Sequence, residues 1–367
     1  MKYNILKNLG HYTKKNYRLL ISLIFFLIYG RVRNLKKIDS LNVRQIKSID
    51  LTNVSKFNYK LYEINDARIF TNYVENVSVI SNNDLIKDIS FQQINGRLVS
   101  SKYNQTVKTG TPKLLREFPG TIMLLTQGAS GHTNYSHWLL DILTKIKLAS
   151  MIINIKKVDF FYFSKLNKFQ KESLNILGIN SKKIIDSNLY RHIKGEKIVA
   201  VSHPNYNKGT IFDAHSNIPV WIIKYLRKEF LKYIKNKKIN YQKIFIDRSD
   251  SKVKHCKLIN NNEVVKFLRS QGFRILKLSK LNFVDQINIF NNSKIIIGPH
   301  GAGLVNLVFC NKKTKVIEIK PNDHPNKVYE RISKINKLNY KLLKLKKIKN
   351  NINGDMLIKI KDLEKLI

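Results

Sequence analysis

Directly after the apolar run Lys294–Ile297 come Gly298, Pro299, His300, Gly301, Ala302 and Gly303, and then another apolar stretch begins. Glycines at the end of a strand let backbone amides approach a diphosphate closely, and a helix N-terminus beyond them adds partial positive charge. A tight structural turn accounts for the same glycines, but His300 inside it favours a chemical role. The glycine order departs from the dinucleotide fingerprint G-x-G-x-x-G, so NAD is not implied. A second strand-like run, Lys243–Ile246, ends in Asp247, Arg248, Ser249 and Asp250. Arginine there can clamp a phosphate bidentately and the serine can add a hydrogen bond; a surface ion pair is the alternative. Glu318 closes the strand-like Lys315–Ile319, where a carboxylate can accept from both ribose hydroxyls of a nucleotide or pair with a nearby lysine.

Earlier in the chain Asn134, Tyr135, His137, Trp138 and Asp141 form a dense polar and aromatic cluster, with His132 just before it. At a spacing of four, His137 and Asp141 share one helical face, and the carboxylate can orient the imidazole and raise its basicity. That pair suits general-base removal of a proton from a hydroxyl. Histidine ranks ahead of aspartate as the base because an imidazole ordinarily titrates near neutral pH. Packing inside a helical core is the competing role. No Asp-x-Asp occurs anywhere in the sequence, so the usual carboxylate pair for holding a metal on a nucleotide-sugar diphosphate is missing, and no metal or other cofactor is expected.

These groups need strands and helices to hold them. Thr121–Leu125, Asp159–Phe163 and Lys197–Val201 read as strands, with helices over Tyr135–Ala149 and Lys168–Leu177. Ile218–Ile234 carries a helical apolar stripe. Beyond the basic stretch Lys235–Gln242, strands Lys243–Ile246, Phe273–Leu276, Lys294–Ile297 and Lys315–Ile319 alternate with helices Asn262–Gln271, Phe283–Asn291 and Gly303–Phe309. Alternation at this spacing predicts an α/β fold with parallel, Rossmann-like sheets, ligands lying beyond the strands' carboxyl ends. Length predicts more than one core. The expected division is a basic segment over 1–34, an acceptor-side α/β domain over 35–235 and a nucleotide-sugar-binding domain over 236–367. Between Asn34 and Thr126 only short β-prone pieces such as Lys60–Ile64 and Val77–Ile80 are readable.

The chain has 367 residues and a formal net charge of +42. Such a charge attracts nucleic acid, anionic lipid or phosphorylated substrates. Its lysines are spread through nearly every segment, which favours a compositional bias over a single nucleic-acid footprint, and no nucleic-acid partner is expected. Two cysteines, Cys256 and Cys310, lack metal-ligand spacing and fit a reducing compartment. The apolar run Leu19–Tyr29, roughly eleven residues, falls short of the ~18 that span a bilayer. Lys14, Lys15, Arg18, Arg31 and Arg33 flank it, so it reads either as an interfacial anchor drawn to anionic lipid or as a buried helix. The expected location is cytoplasmic, peripheral on the inner face of the cell membrane.

Taken together, Asn134 to Asp141, Ile246 to Asp250, Leu258 to Glu263 and Ile295 to Asn306 resemble glycosyltransferase family 61, in a bacterial-type form. The resemblance runs from about Thr121 to Tyr340. It implies a GT-B architecture of two facing Rossmann-like domains and metal-independent, inverting transfer of a sugar from a nucleotide-sugar donor to a glycan or lipid-linked glycan, as in cell-surface polysaccharide or lipopolysaccharide synthesis. On that reading His137 and Asp141 are catalytic. Arg248, Ser249, Gly298, His300, Gly301, Ala302, Gly303 and Glu318 bind the donor, and His132, Asn134, Tyr135 and Trp138 lie on the acceptor side. One departure stands out: where the family shows Asn-Glu-x-Glu, this chain has Asn260-Asn261-Asn262-Glu263, with the first acid neutralised. Two other classes fit parts of the pattern, a polyanion- or membrane-binding protein without catalysis and a phosphohydrolase using His300; the second leaves the His137 cluster without a role.

Overall fold

The structure is a computed structural model that describes residues 2–33, 42–46, 58–73, 76–94, 97–99, 104–126, 134–205, 210–234, 241–251, 255–346, 348 and 354–367. Two large sheets organise them. The first uses β1 (Asn42–Gln45), β2 (Lys60–Asn65), β3 (Arg68–Tyr73), β4 (Asn76–Ser81) and β5 (Asp84–Leu85). After the small hairpin of β6 (Gln92–Ile94) and β7 (Arg97–Val99), it adds β8 (Arg116–Leu124), β9 (Phe160–Phe163), β10 (Ile184–Asp186) and β11 (His192–Val201). Its main path is β10-β9-β8-β11-β3-β4-β5, with β2 also on β11. The second sheet, from β12 (Lys243–Ile246), β13 (Arg274–Leu276), β14 (Ile295–Pro299), β15 (Lys315–Pro321) and β16 (Asn339–Leu345), runs β13-β12-β14-β15-β16.

The second sheet is parallel throughout, as expected of near-continuous apolar strands covered on both faces. The first is not. Only β10, β9, β8 and β11 are parallel, while β2, β3, β4 and β5 pair antiparallel. The expectation of two wholly parallel sheets therefore fails for residues before 100. Their short strands are joined by tight turns such as Asn82-Asn83, both at positive φ, and such connections make hairpins rather than crossovers.

In both sheets the strand order reverses once. The chain moves from β8 outward to β9 and β10, then returns to place β11 on the other side of β8. Likewise β12 leads outward to β13, and β14 returns on the opposite side of β12. Ligand crevices of open α/β sheets form outside the carboxyl ends at such reversals. The fold therefore offers two, one beyond β8 and β11 and one beyond β12 and β14.

Helices pack the sheets onto one another. Phe230, at the end of the helix Val220–Phe230, meets Phe283 edge-on at 5.1 Å and Phe309 at 6.3 Å. One buried apolar cluster runs from Trp138, Leu139 and Phe163 through these rings to Leu304 and Val316. The two sheets share this cluster, and each also buries one of its own, with Ile64, Ile69 and Ile198 on the first and Phe245, Ile297 and Ile317 on the second. Cys256 and Cys310 are free, buried thiols.

A helix covers Lys2–Tyr29. Its end is tied to the first sheet: Tyr29 Oη accepts from Leu115 N at 2.9 Å and the ring meets His192 edge-on at 4.8 Å. Leu19, Leu20, Leu23, Ile24, Leu27 and Ile28 stay exposed, Leu27 at 88%. The buried-helix alternative for this run is thereby overturned on that face. No helix among the described residues is long and apolar enough to cross a membrane.

Candidate active site

The crevice beyond β8 and β11 contains the predicted histidine–carboxylate pair. Asn134 caps the turn Tyr135–His137 by accepting from the amides of Ser136 and His137 at 2.9 and 3.2 Å, the usual stabilisation of a helix start. The helix then widens into a π-turn over Trp138–Ile142 before resuming as Leu143–Ser150, a distortion common at functional sites. His137 Nδ1 and Asp141 Oδ2 lie 2.6 Å apart. An ionised carboxylate only accepts, so Nδ1–H is the donor and Nε2 carries the lone pair that can take a proton. The His137 side chain remains 15% exposed whereas Asp141 is fully buried.

Asp141 is also the centre of a network that the sequence left unseen. Asn205 Nδ2 donates to Asp141 Oδ1 at 2.7 Å, and His215 Nε2 lies 3.8 Å from that oxygen. The His215 ring tilts against His137 at 4.5 Å. Burial alone would push the Asp141 carboxyl up, but the charge and hydrogen bond of His137 and the proximity of His215 outweigh it and hold the group well below the usual carboxylate range. Lys145 is buried on the same helix, donating to Leu125 O at 2.9 Å, and burial pulls it down to about 7 against the attraction of Asp141. Burial likewise lowers His203 to about 3. Only the strand-end rule pointed here, because 202–205 follow β11.

Other acceptor-side expectations change. Trp138 is fully buried, packed on Phe163, with Nε1 donating to Ser173 Oγ at 2.8 Å; it supports the helix and does not line the crevice, because its large apolar ring is held in the core. Tyr135 joins the two halves: its hydroxyl donates to Asn306 Oδ1 at 2.8 Å, and Asn306 Nδ2 donates to Gln286 Oε1 at 3.0 Å. Asn134 works as a cap. His132, with the glycine-bearing loop around it, lies outside the described residues.

At the second crevice Arg248 and the loop Gly298–Gly303 come together as expected. Arg248 Nη1 donates to the carbonyl oxygens of His300 and His255, and a Cβ on Gly301 would collide with the guanidinium. Gly301 is thus a close-approach glycine, its φ of 168° being ordinary extended backbone. Gly298 packs under Ile246 and Gly303 under Leu278. The segment Ala302–Phe309 is a 3₁₀ helix, tighter than the α-helix expected. Tyr329, itself buried, braces the loop by donating to Gly301 O at 2.6 Å.

Glu318 occupies a different setting from a ribose clamp. It lies inside β15, opposite Gly298, because the strand continues to Pro321. It is 1% exposed, with one oxygen 2.5 Å from His300 Nδ1 and the other accepting from Tyr340 Oη at 2.5 Å. Both oxygens are engaged, so its geometry fits orientation of His300. Ser249 Oγ donates to Asp247 Oδ2 at 3.0 Å, which commits its proton within the turn. Asn261 Nδ2 donates to Asp247 Oδ1 at 3.2 Å. An acid at 261 would face that carboxylate, so the amide complements it.

Residues 135–317, which hold both crevices' principal groups apart from Glu318, match the family model described as Glycosyltransferase 61. Curated relatives include the EGF domain-specific O-linked N-acetylglucosamine transferases of Bos taurus, Rattus norvegicus and Pan troglodytes. Each is 38% identical over 68 residues, 17% of this chain and 13% of the relative. The chain therefore aligns with only a small part of those proteins' length. All of them are mammalian, and nothing in them supports the bacterial type expected above.

Proposed function

We propose that this chain is a glycosyltransferase, on the support of the match of its residues 135–317 to the glycosyltransferase 61 model and its local similarity to O-linked N-acetylglucosamine transferases. A nucleotide-sugar donor sits beyond β12 and β14, its diphosphate at Arg248, His300 and the amides of Gly301–Gly303. The acceptor hydroxyl lies beyond β8 and β11. His137 Nε2 takes its proton while Asp141 fixes the ring, and the oxygen attacks the anomeric carbon from the face opposite the leaving diphosphate, which inverts the configuration. Arg248 and His300 stabilise the charge that develops on the leaving group. The observation that carries this reading is the seam between the halves, where Tyr135 on the His137 turn bonds to Asn306 in the helix that follows the donor loop. A GT-B arrangement divided near 235–236 is part of the same proposal. For the acceptor, a glycan or lipid-linked glycan stands beside the protein hydroxyl suggested by the relatives' name, and N-acetylglucosamine is the first donor sugar to try.

Transfer is proposed to need no metal. The Arg248 guanidinium lies against the glycine loop of the donor crevice, and the central carboxylate there, Glu318, is already engaged on both oxygens. One observation favours a second reading: His137, Asp141 and His215 bring donor atoms within 4.8 Å of one another, a set able to hold a divalent ion. Buried Lys145 weakens that case by adding positive capacity beside the same carboxylate. Activity in excess chelator decides. Unchanged turnover is the expected result, and loss restored by manganese or magnesium would assign the metal reading.

The proposed partner of the N-terminal helix is an anionic membrane surface, with the protein peripheral on the cytoplasmic side. Its support is the exposed apolar face from Leu19 to Ile28 and the basic residues that flank it. In flotation assays the protein should rise with vesicles containing anionic lipid, less with neutral ones, and Leu23→Glu/Leu27→Glu should remain at the bottom. Equal flotation of both proteins would remove the anchor.

A further inference from the structure

The donor crevice holds more positive capacity than Arg248 and His300 account for. His324, in the loop after β15, lies against His300 with ring centroids 4.1 Å apart at 47°. His255 is a neighbour as well: Arg248 Nη1 bonds its backbone carbonyl at 3.3 Å as well as that of His300, and its part-buried ring is near enough to feel the charge of both residues. Lys320 is buried and donates to Asn326 O at 2.7 Å, next to the His324 loop. Facing these groups are Glu318, both of whose oxygens are engaged, and Asp355 near His255.

Buried cations with too few anions are costly, and imidazoles relieve that cost by releasing protons. Burial is the largest influence on both rings. It brings His324 down to about 4, helped by His300, Lys320 and His255 and opposed by Glu318. His255 is lowered by burial, then by Arg248 and His300, while its own backbone and Asp355 oppose. Its Nδ1 is buried with no hydrogen-bond partner among the described residues.

We propose that His255 and His324 are diphosphate-binding residues beside His300, and that these two rings take up protons as the donor's diphosphate enters. The inference rests on the donor-site reading of this crevice. An arriving dianion reverses the local balance of charge, so rings that are neutral in the empty pocket become donors of charged hydrogen bonds. The pocket is then strongly cationic only while its anion is present. Because the complex holds more protons than the free protein, affinity rises as pH falls, by up to about tenfold per pH unit for each proton gained.

Calorimetry on the full chain tests this, with UDP-N-acetylglucosamine, UDP-glucose, UDP-xylose and GDP-mannose as probes, since their diphosphate diesters do not titrate between about pH 5 and 8. Heats measured in buffers of small and large ionisation enthalpy should show net uptake of about one proton near neutral pH. His255→Gln/His324→Asn should bind more weakly at neutral pH and lose the uptake and the pH dependence. Imidazole resonances of the histidine-labelled wild-type protein read the same event without a substitution, and should move to the protonated position on donor addition. Binding without proton uptake, or uptake unchanged in the double variant, overturns the inference and leaves the donor site standing. Failure of every probe to bind removes both.

Discussion

His137→Ala should lower turnover by about 10² to 10⁴, the usual contribution of a positioned general base, while donor affinity stays within experimental error. The imidazole sits at the acceptor crevice, with Nδ1–H committed to Asp141 at 2.6 Å and Nε2 left to accept. Asp141→Asn keeps the shape but removes the negative charge that stabilises the imidazolium. The carboxyl is held well below its ordinary range in the folded protein, so it stays ionised wherever the enzyme works, and the acid limb of the pH–rate profile reports another group. Without that charge the ring gives up its proton more readily, and the acid limb should move to lower pH as turnover falls. His137→Ala with full turnover beside a dead Asp141→Asn would make the carboxylate the base. If neither matters, the chemistry belongs to the loop that carries His132.

Arg248→Ala should weaken donor binding by about 1.5 to 3 kcal/mol, the range for hydrogen bonds to a charged group, roughly a ten- to hundredfold rise in Kd. The guanidinium does two things at once: it lies across Gly301 and braces the carbonyls of His255 and His300. Arg248→Lys separates them. Lysine keeps the charge but lacks the planar guanidinium that lies across Gly301 while Nη1 reaches both carbonyls, so a loss nearly as large as in Arg248→Ala identifies bracing as the main contribution. Calorimetry with a bound nucleotide sugar reads both variants, and unchanged affinity in both would remove Arg248 from the donor site.

The strands of the second sheet were readable because runs such as Lys-Ile-Phe-Ile and Ile-Ile-Ile, interrupted by helical periodicity, admit few other arrangements. From them followed the meeting of Arg248 with the Gly298–Gly303 loop, since adjacent strand ends must share a crevice. The His137–Asp141 contact was readable for the same local reason, a spacing of four on one helix. What stayed hidden depends on chain segments far apart in sequence. Asn205 and His215 reach Asp141 only because β11 returns beside β8, and local pattern does not specify that return. Glu318 was misplaced by the length of one strand: with β15 ending at Pro321 instead of Ile319, the residue moves from the rim to the interior beside His300 and Tyr340. Trp138 looked like a cleft residue among polar neighbours, yet its ring is the largest apolar body on that turn and the core takes it.

The most direct test of the account is the release of nucleoside diphosphate by the full chain from a panel of nucleotide sugars, with saccharide, lipid-linked and EGF-domain acceptors, followed beside His137→Ala and Arg248→Ala. The account predicts release from at least one acceptor-dependent pair, with the new glycosidic bond inverted at the anomeric carbon, and strong loss in both variants. Inorganic phosphate as the product, or a retained anomeric configuration, would contradict it.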